Sequence, residues 1–290
     1  MKVALITTLP GLSENDRIKE EVEKLGHEFK LIDLAEFEFV LDEKGLAIEG
    51  FNPELFDSII VRGIFAAVKP ISVIVESLRN KGIKVFDNNF IEHKYSIDKV
   101  TDLIKLSIAG ISIPKSSYSR DFDHYTKIAN EIGYPLIVKS TRAGKGAWVY
   151  KVGSDDELTS TIEEVEKEGK TAKGFLLQEF IDYEHDLRCL VIGDDVFTMK
   201  RIPAKGEFRA NFSLGGAVEP FDLSESDKVL AIKSLKAVGM SIGGVDILIA
   251  KDKKRYILEV NHTAGFVGME EATGKNIGKV FVKHALQNTK

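Results

Sequence analysis

Two carboxylates sit where burial is the expectation. The stretch GVDILIAKDKKRYILEVN, Gly244 to Asn261, contains two strand-forming apolar runs around a polar KDKK, and each run carries one acid, Asp246 or Glu259. A hairpin with a tight turn at Asp252–Lys253 would set Asp246 opposite Glu259, Leu248 opposite Ile257 and Ala250 opposite Arg255. Facing side chains on one sheet face lie about 4.5–5.5 Å apart at Cβ, and like charges there destabilise the pair. Asn261, two residues past Glu259, shares that face. Two acids and an amide oxygen form a ligand set for a hard cation such as Mg²⁺, which takes oxygen donors and often keeps substrate phosphates in its shell. A frayed hairpin end with solvated acids is the alternative. It is disfavoured because both acids lie far from the turn, where the strands should enter the core. A one-residue slip in register would remove the argument.

A cation held this way calls for a polyphosphate partner, and several residues could meet it. Lys139 ends the apolar strand PLIVKS, where it could contact phosphates or simply snorkel to solvent. The loop Thr141–Gly146, with Gly144, Lys145 and Gly146, suits a flap over phosphates, although a hairpin turn explains its glycines equally well. LLQEFI supplies Gln178, Glu179, Phe180 and Ile181, which could read an adenine edge and ribose. Arg209 and Asn211 in EFRANFSLGG alternate onto one face and could reach a terminal phosphate. Arg188 in DLRCLV is placed to grip an anion. Cys189, the sole cysteine, lies in an apolar strand and reads as a buried structural thiol. His262 could touch substrate or act from behind the site.

The elements that must position these residues can also be read. Residues 1–90 alternate strand and helix signals: KVALITTL, then SENDRIKEEVEKLG, then a strand and a hairpin turning at Asp42–Gly45, then FDSIIVRG and KVFDNN. That order predicts an open α/β unit with a mostly parallel sheet. No GxGxxG follows the first strand, so a dinucleotide fingerprint is absent. A central unit over 91–174 holds a helix with Lys94 and Lys99, strand PLIVKS, the glycine loop and a charged helix over 154–168. A strand-rich unit over 175–290 follows, with helices over 224–240 and 276–288.

Composition narrows the partners. The 290 residues are 43% apolar and 29% charged, ordinary for a folded globular chain. A net charge of −5 argues against a general nucleic-acid binder. No run approaches the roughly 20 apolar residues that span a bilayer. MKVALITTLPG reads as a first strand and turn and not as a secretory signal. One cysteine excludes an internal disulfide and a multi-cysteine metal site. A cytoplasmic location is the expectation.

The ordered motifs QEFI, DLRCLVIGDD, GEFRANFSLGG, GVDIL and LEVNHTAGFVGMEEATGKNI, with IDK around Lys99, resemble the ATP-grasp superfamily, and within it the RimK-like carboxylate–amine ligases. The resemblance covers residues 90–288, and less specifically the first 90. It implies an ATP-grasp fold, α/β and α+β, with an N-terminal open α/β domain, a central α+β domain and a C-terminal domain with antiparallel strands. Lys99 and Lys139 match phosphate-binding lysines, and Glu179, Phe180 and Asp186 match adenine- and ribose-side contacts. Arg209, Ala210 and Asn211 match the segment reaching the terminal phosphate, and Asp246, Glu259 and Asn261 match metal ligands. The implied cofactors are ATP and Mg²⁺, with Mn²⁺ as a substitute ion. The implied reaction makes an acyl-phosphate from a carboxylate and ATP, which an amine then converts to an amide. Arg188 and Arg201 are the candidates for stabilising its intermediates.

GFVGMEEATGKNIG is closer to members that add glutamate to a C-terminal glutamate of a protein, peptide or glutamyl-tailed cofactor. LysX-type ligases, which join an amino-acid amine to an acidic carrier protein, are the alternative, and a non-catalytic nucleotide-binding regulator is another. HTAGF and NFSLGG depart from typical RimK members and leave the acceptor open. The expected partners are an amino acid and a carboxylate acceptor, and the family suggests a homo-oligomer.

Overall fold

The computed structural model describes residues 1–43, 45–88, 91, 98–144, 146–204, 206–209 and 216–290. Lys94, Lys145, Ala210 and Asn211, singled out in the sequence, lie outside them.

The N-terminal unit is a four-stranded parallel sheet in the order β2-β1-β5-β6. Its strands are β1 (Lys2–Thr7), β2 (Glu28–Asp33), β5 (Ser58–Val61) and β6 (Val85–Phe86); a two-stranded hairpin, β3 (Phe39–Asp42) and β4 (Gly45–Ile48), stands apart. Val3 to Ile6 and Ser58 to Val61 are buried, the continuous burial of a parallel sheet covered on both faces. Helices α1 (Ser13–Lys24) and α2 (Val68–Asn80) provide cover.

Next comes α3 (Lys99–Ile108), whose first turn is fixed by the Asp98 carboxylate accepting from Thr101 N at 2.9 Å. The second sheet follows, in the order β7-β10-β8-β9, built from β7 (Ser116–Ser117), β8 (Leu136–Ser140), β9 (Val149–Val152) and β10 (Phe175–Glu179). Its helices are α4 (Tyr125–Ile132) and α5 (Asp155–Lys167). Strand β10 opens the C-terminal section in the sequence reading. In the structure it pairs with β8 from Phe175↔Ser140 to Glu179↔Leu136, inside the second sheet.

The third sheet is antiparallel, in the order β13-β12-β11-β14-β15. It comprises β11 (Tyr183–Ile192), β12 (Asp195–Ile202), β13 (Ala217–Pro220), β14 (Ile242–Ala250) and β15 (Arg255–Asn261), with α6 (Glu225–Ala237) behind it. The last helices, α7 (Val267–Thr273) and α8 (Ile277–Gln287), return to the N-terminal unit. One core cluster joins Val3, Leu5 and Ile60 to Leu190, Ile192, Ile242, Phe266 and Phe281, so the parallel sheet and one end of the third sheet bury each other. Among the described residues no helix is long and apolar enough to cross a membrane.

The β14–β15 register corrects part of the hairpin reading. Asp246 faces Glu259 and Gly244 faces Asn261, but Ile247 faces Ile257, Leu248 faces Tyr256 and Ile249 faces Arg255. Ala250 N donates to Lys254 O, so the loop has three residues, with Lys253 at φ +69°. A bulge at Leu258 then takes up the one-residue difference and brings the two acids level.

Candidate active site

Alternation divides the third sheet into two faces of opposite chemistry. Leu187, Cys189, Val191, Val245, Ile247 and Ile249 point into a core with Leu106 and Leu235. Asp186, Arg188, Arg201, Gly244, Asp246, Glu259 and Asn261 hold the other parity, as their strand pairings require. The network of charges on this second face is continuous. Arg201 Nε lies 2.5 Å from Asp186 Oδ1, and its Nη2 donates to Asp246 Oδ2 at 2.9 Å. Arg188 Nη2 donates to the same Asp246 oxygen at 2.9 Å.

Burial sets the electrostatics here. Asp246 is 2% exposed. Burial alone would raise its pKa, but Arg188 and Arg201 outweigh it and hold the carboxyl below the usual range. Asp186, whose burial is opposed by Arg201 and more weakly by Arg188 and reinforced by the charge of Asp246, is pushed up to about 6. Burial works against the Arg201 charge, yet Asp246 and Asp186 together raise its pKa.

The second sheet supplies the lysines. Lys139, on the last turn of burial in β8, is 5% exposed and donates to Gln178 Oε1 at 2.8 Å. Gln178 in turn donates through Nε2 to Ser116 Oγ at 2.8 Å, so the amide is held at both ends and fixes the ammonium. Burial pulls the Lys139 pKa down to about 8, against the attraction of Glu259, with Lys99 adding repulsion and Asp246 attraction. Lys99 begins α3, its backbone N bonded to Thr141 O at 3.0 Å. Its ammonium donates to Ala143 O at 2.6 Å and lies 3.8 Å from Glu259 Oε2. Thus Lys99 and Lys139 are brought electrostatically beside Asp246 and Glu259 across two sheets.

The described residues of the glycine loop are held at two points. Ser140 Oγ accepts from Arg142 N and Ala143 N, shaping its first half. Gly146, at φ +75°, offers its carbonyl to Arg209 Nη1 at 3.1 Å. Gly144 is exposed. Arg209 also donates to Glu207, which that contact lowers to about 2. Beyond β10, Glu179 is tied to Lys115: its Oε2 accepts from Lys115 N, and its own N donates to Lys115 O. Phe180 has Lys151 Nζ 3.6 Å from its ring centroid. Phe180 and Ile181 are half-buried in the passage from the second sheet to the third. Asp186, which the resemblance matches to a ribose-side contact, lies buried against Arg201.

The donor set fits a divalent cation. Asp246 Oδ1, 2.5 Å from Arg188 Nε but outside hydrogen-bond geometry, is buried with no hydrogen-bond donor. Glu259 is level with it and half-buried, and among the described residues Asn261 Oδ1 accepts only from Thr263 N, at 3.1 Å. Among the described residues no cluster holds three His, Cys, Asp or Glu. Two carboxylates and an amide would therefore leave coordination positions to phosphate and water oxygens, as suits Mg²⁺.

Two long-range contacts lie beyond the sequence reading, which leaves His262 open between touching substrate and acting from behind the site. His262 is held from behind the site, its Nε2 3.0 Å from Asp102 Oδ2 on α3. Asn88 braces the start of β14, accepting from Ser241 N and Ile242 N and donating to Ile242 O. Both contacts span more than 150 residues, and nothing local in the sequence marks them. Cys189 is buried, bonded by Thr198 Oγ1, and burial raises its pKa to about 12, a structural thiol.

Comparison with known proteins identifies the family. A model of the RimK-like ATP-grasp domain matches residues 96–284. A probable alpha-L-glutamate ligase of Teredinibacter turnerae is 30% identical over 297 residues, covering 100% of this chain and 97% of its own. Its counterpart in Trichodesmium erythraeum is 31% identical over 293 residues, with 97% and 94% covered. The RimK domain ATP-grasp protein from Sphaerobacter thermophilus superposes with a TM-score of 0.74 at 20% identity, covering 99% of this chain and 100% of that one. The ATP-grasp ligase PsnB, solved with a minimal precursor, Mg and ADP, gives 0.74 at 20% identity, with 100% and 97% covered. The chain belongs to the RimK-like ATP-grasp family.

Proposed function

We propose that this ATP-grasp ligase joins the amine of an amino acid, glutamate in the first instance, to a carboxylate of a peptide, protein or glutamyl-tailed small molecule. ATP is the energy source and Mg²⁺ the ion, with Mn²⁺ able to replace it. The observation that carries this reading is the adjacency of Asp246 and Glu259 on a face shared with Arg188 and Arg201, within electrostatic reach of Lys99 and Lys139. The names of the curated relatives support glutamate.

The residues divide the work by position. Lys139, fixed by Gln178, and Lys99, at the head of α3, hold phosphate oxygens. Asp246, Glu259 and Asn261 would hold Mg²⁺, which when bound neutralises phosphate charge and orients the transferred phosphoryl group. Arg209 and the Gly144–Gly146 loop cover the phosphates and exclude water. Phe180 and Ile181, between the sheets, receive the adenine. Arg188 and Arg201 neutralise the acceptor carboxylate as its oxygen takes the terminal phosphoryl group and ADP departs. The amine then attacks that carbonyl, its proton is lost, and inorganic phosphate leaves as the amide forms. Positioning and charge neutralisation do the catalysis, with no protein nucleophile.

The test is ADP release from the full chain across a panel of amino acids and carboxylate acceptors, with mass spectrometry of products. Glutamate-dependent release and a mass gain of one glutamyl residue are expected. Release that is independent of every amine and acceptor would overturn the reading.

A further inference from the structure

The parallel sheet of the N-terminal unit has a switch point that nothing above uses. In the order β2-β1-β5-β6 the chain leaves β1 in one direction and returns to β5 on the other side. Crevices at the carboxyl ends of such strands are where open α/β sheets bind ligands. Thr7 ends β1 there and Thr8 follows it, and Arg62 and Gly63 follow β5. Thr8 clasps the junction, donating through both N and Oγ1 to Gly63 O.

Arg62 is 5% exposed. Its Nη2 donates to Ala264 O at 2.9 Å, in the turn that follows Asn261. Its Nη1 is buried and has no hydrogen-bond partner, and no carboxylate pairs with the guanidinium among the described residues. The acid that acts on it most, Glu14, is occupied by Phe266 N at 3.0 Å and Val267 N at 3.4 Å. Burial lowers the Arg62 pKa only to about 10, so the side chain stays charged at neutral pH. A buried cation with an unmet donor is costly unless a ligand completes it.

A second unmet group lies beside it. Thr263 Oγ1 is also buried without a partner. Arg62 and Thr263 line the same cavity, of about 20 Å³, together with Asn88, His262 and Ala264. That volume takes one water-sized group, such as a single carboxylate oxygen, so the rest of a ligand must lie outside it. The site adjoins the catalytic face: a Cβ on Gly244 would lie 2.9 Å from Ala264 Cβ and 3.5 Å from Arg188 Nη1. Only the Gly244 backbone therefore separates the turn held by Arg62 from the arginine assigned to the acceptor.

We propose that Arg62 and Thr263 bind a carboxylate of the amino-acid substrate, the one whose amine attacks, and hold it beside the activated acceptor. This rests on the ligase reading for the identity of the ligand. The acceptor's own carboxylate belongs to Arg188 and Arg201, so a separate cationic donor past Gly244 serves the other substrate. Fixing that carboxylate aims the amine and leaves the reaction only one orientation to explore.

The test is calorimetric titration of the full chain, loaded with Mg²⁺ and a non-hydrolysable ATP analogue. The probes are L-glutamate, L-glutamine and the α-amide of glutamate, which separate the α- from the γ-carboxylate. Arg62→Gln should weaken L-glutamate binding about 10- to 100-fold and leave nucleotide affinity unchanged. The analogue lacking the held carboxylate should bind both proteins alike. Thr263→Val, which keeps the shape and removes an unbonded hydroxyl, should weaken L-glutamate about three- to tenfold. Equal L-glutamate affinity in wild type and Arg62→Gln would overturn the proposal, as would parallel loss of nucleotide binding. Should Arg62→Gln fail to fold, unchanged affinity in Thr263→Val overturns it alone. No binding of any of the twenty amino acids by wild type also overturns it. Arg62-dependent binding without ligation of any acceptor would support this site and count against the ligase reading instead.

Discussion

The two faces of the third sheet share strands, registers and hydrogen bonds, yet one is apolar core and the other, around Asp246, carries a charged cluster. Val245 and Asp246 are neighbours in sequence, both nearly inaccessible, at 0% and 2% exposure. Val245 packs with Leu187 and Val260, whereas Asp246 is locked between two arginines. Burial alone therefore says nothing about role. What separates the faces is whether each buried group is completed by apolar packing or by opposite charge. The charged face also holds Asp246 Oδ1 and Arg188 Nε 2.5 Å apart, an ion pair outside hydrogen-bond geometry.

Asp246→Asn should break that contrast most severely. It removes the charge that neutralises half-buried Arg188 and leaves buried Arg201 with Asp186 alone. Breaking a buried pair this way costs roughly 3–5 kcal/mol, visible as a lower urea midpoint, and ligation should fall at least about 1,000-fold. Glu259→Gln should separate the two effects. Glu259 is 29% exposed in its side chain, and its one ion pair among the described residues is with Lys99, at 3.8 Å. Its loss should cost under about 1 kcal/mol while removing ligation about as fully as Asp246→Asn. Normal turnover in Glu259→Gln would show the cation assignment to be wrong.

Ile247→Ala tests the opposite face. This residue is fully buried in the core behind Asp246. The change should cost roughly 2–5 kcal/mol of stability, with activity below the melting transition within about threefold of wild type. A selective loss of activity at unchanged stability would mean that the two faces are not independent.

The acid pair was legible in the sequence for a reason that includes a cancellation. A two-residue turn at Asp252–Lys253 predicts Asp246 opposite Glu259, and the structure has that pair. It has it through a three-residue loop and a compensating bulge at Leu258, so the pairs nearer the turn, Leu248 and Ala250 among them, are displaced by one. Alternation of apolar and charged residues fixes which face a strand presents, but counting from a turn does not detect a bulge. Lys139 was legible because an ammonium at the end of PLIVKS breaks an apolar run. The clasp on it was not, since Gln178 and Ser116 are 39 and 62 residues removed along their bonds. Arg188 and Arg201 were legible as anion-binding groups, but their shared grip on Asp246 depends on the order β12-β11-β14, which no local pattern encodes. Arg62 ended a strand, SIIVRG, that could equally have carried an exposed arginine. Only the turn after Asn261, closing over it, makes its unfilled donor significant.

The smallest effect is the most diagnostic of how the two sheets cooperate. Lys139 has a pKa near 8 in the folded protein, against 10.5 when exposed, because burial disfavours its charge. Between those values the unfolded chain binds more protons than the folded one, so the nucleotide-free protein gains stability as pH rises through this window. The full penalty, roughly 3 kcal/mol, is present below about pH 8. Phosphate oxygens have the reverse preference, for the protonated lysine. ATP affinity should therefore fall as stability rises, up to about tenfold between pH 7 and pH 9. Lys139→Met should abolish both slopes. Its stability at neutral pH should change little, because relief of the buried charge is offset by about 1–3 kcal/mol for the abandoned Gln178 oxygen. Thermal melts and nucleotide titrations over the same pH series decide the matter: slopes of the same sign, or slopes that persist in Lys139→Met, would mean that some other group links the phosphates to the acid face.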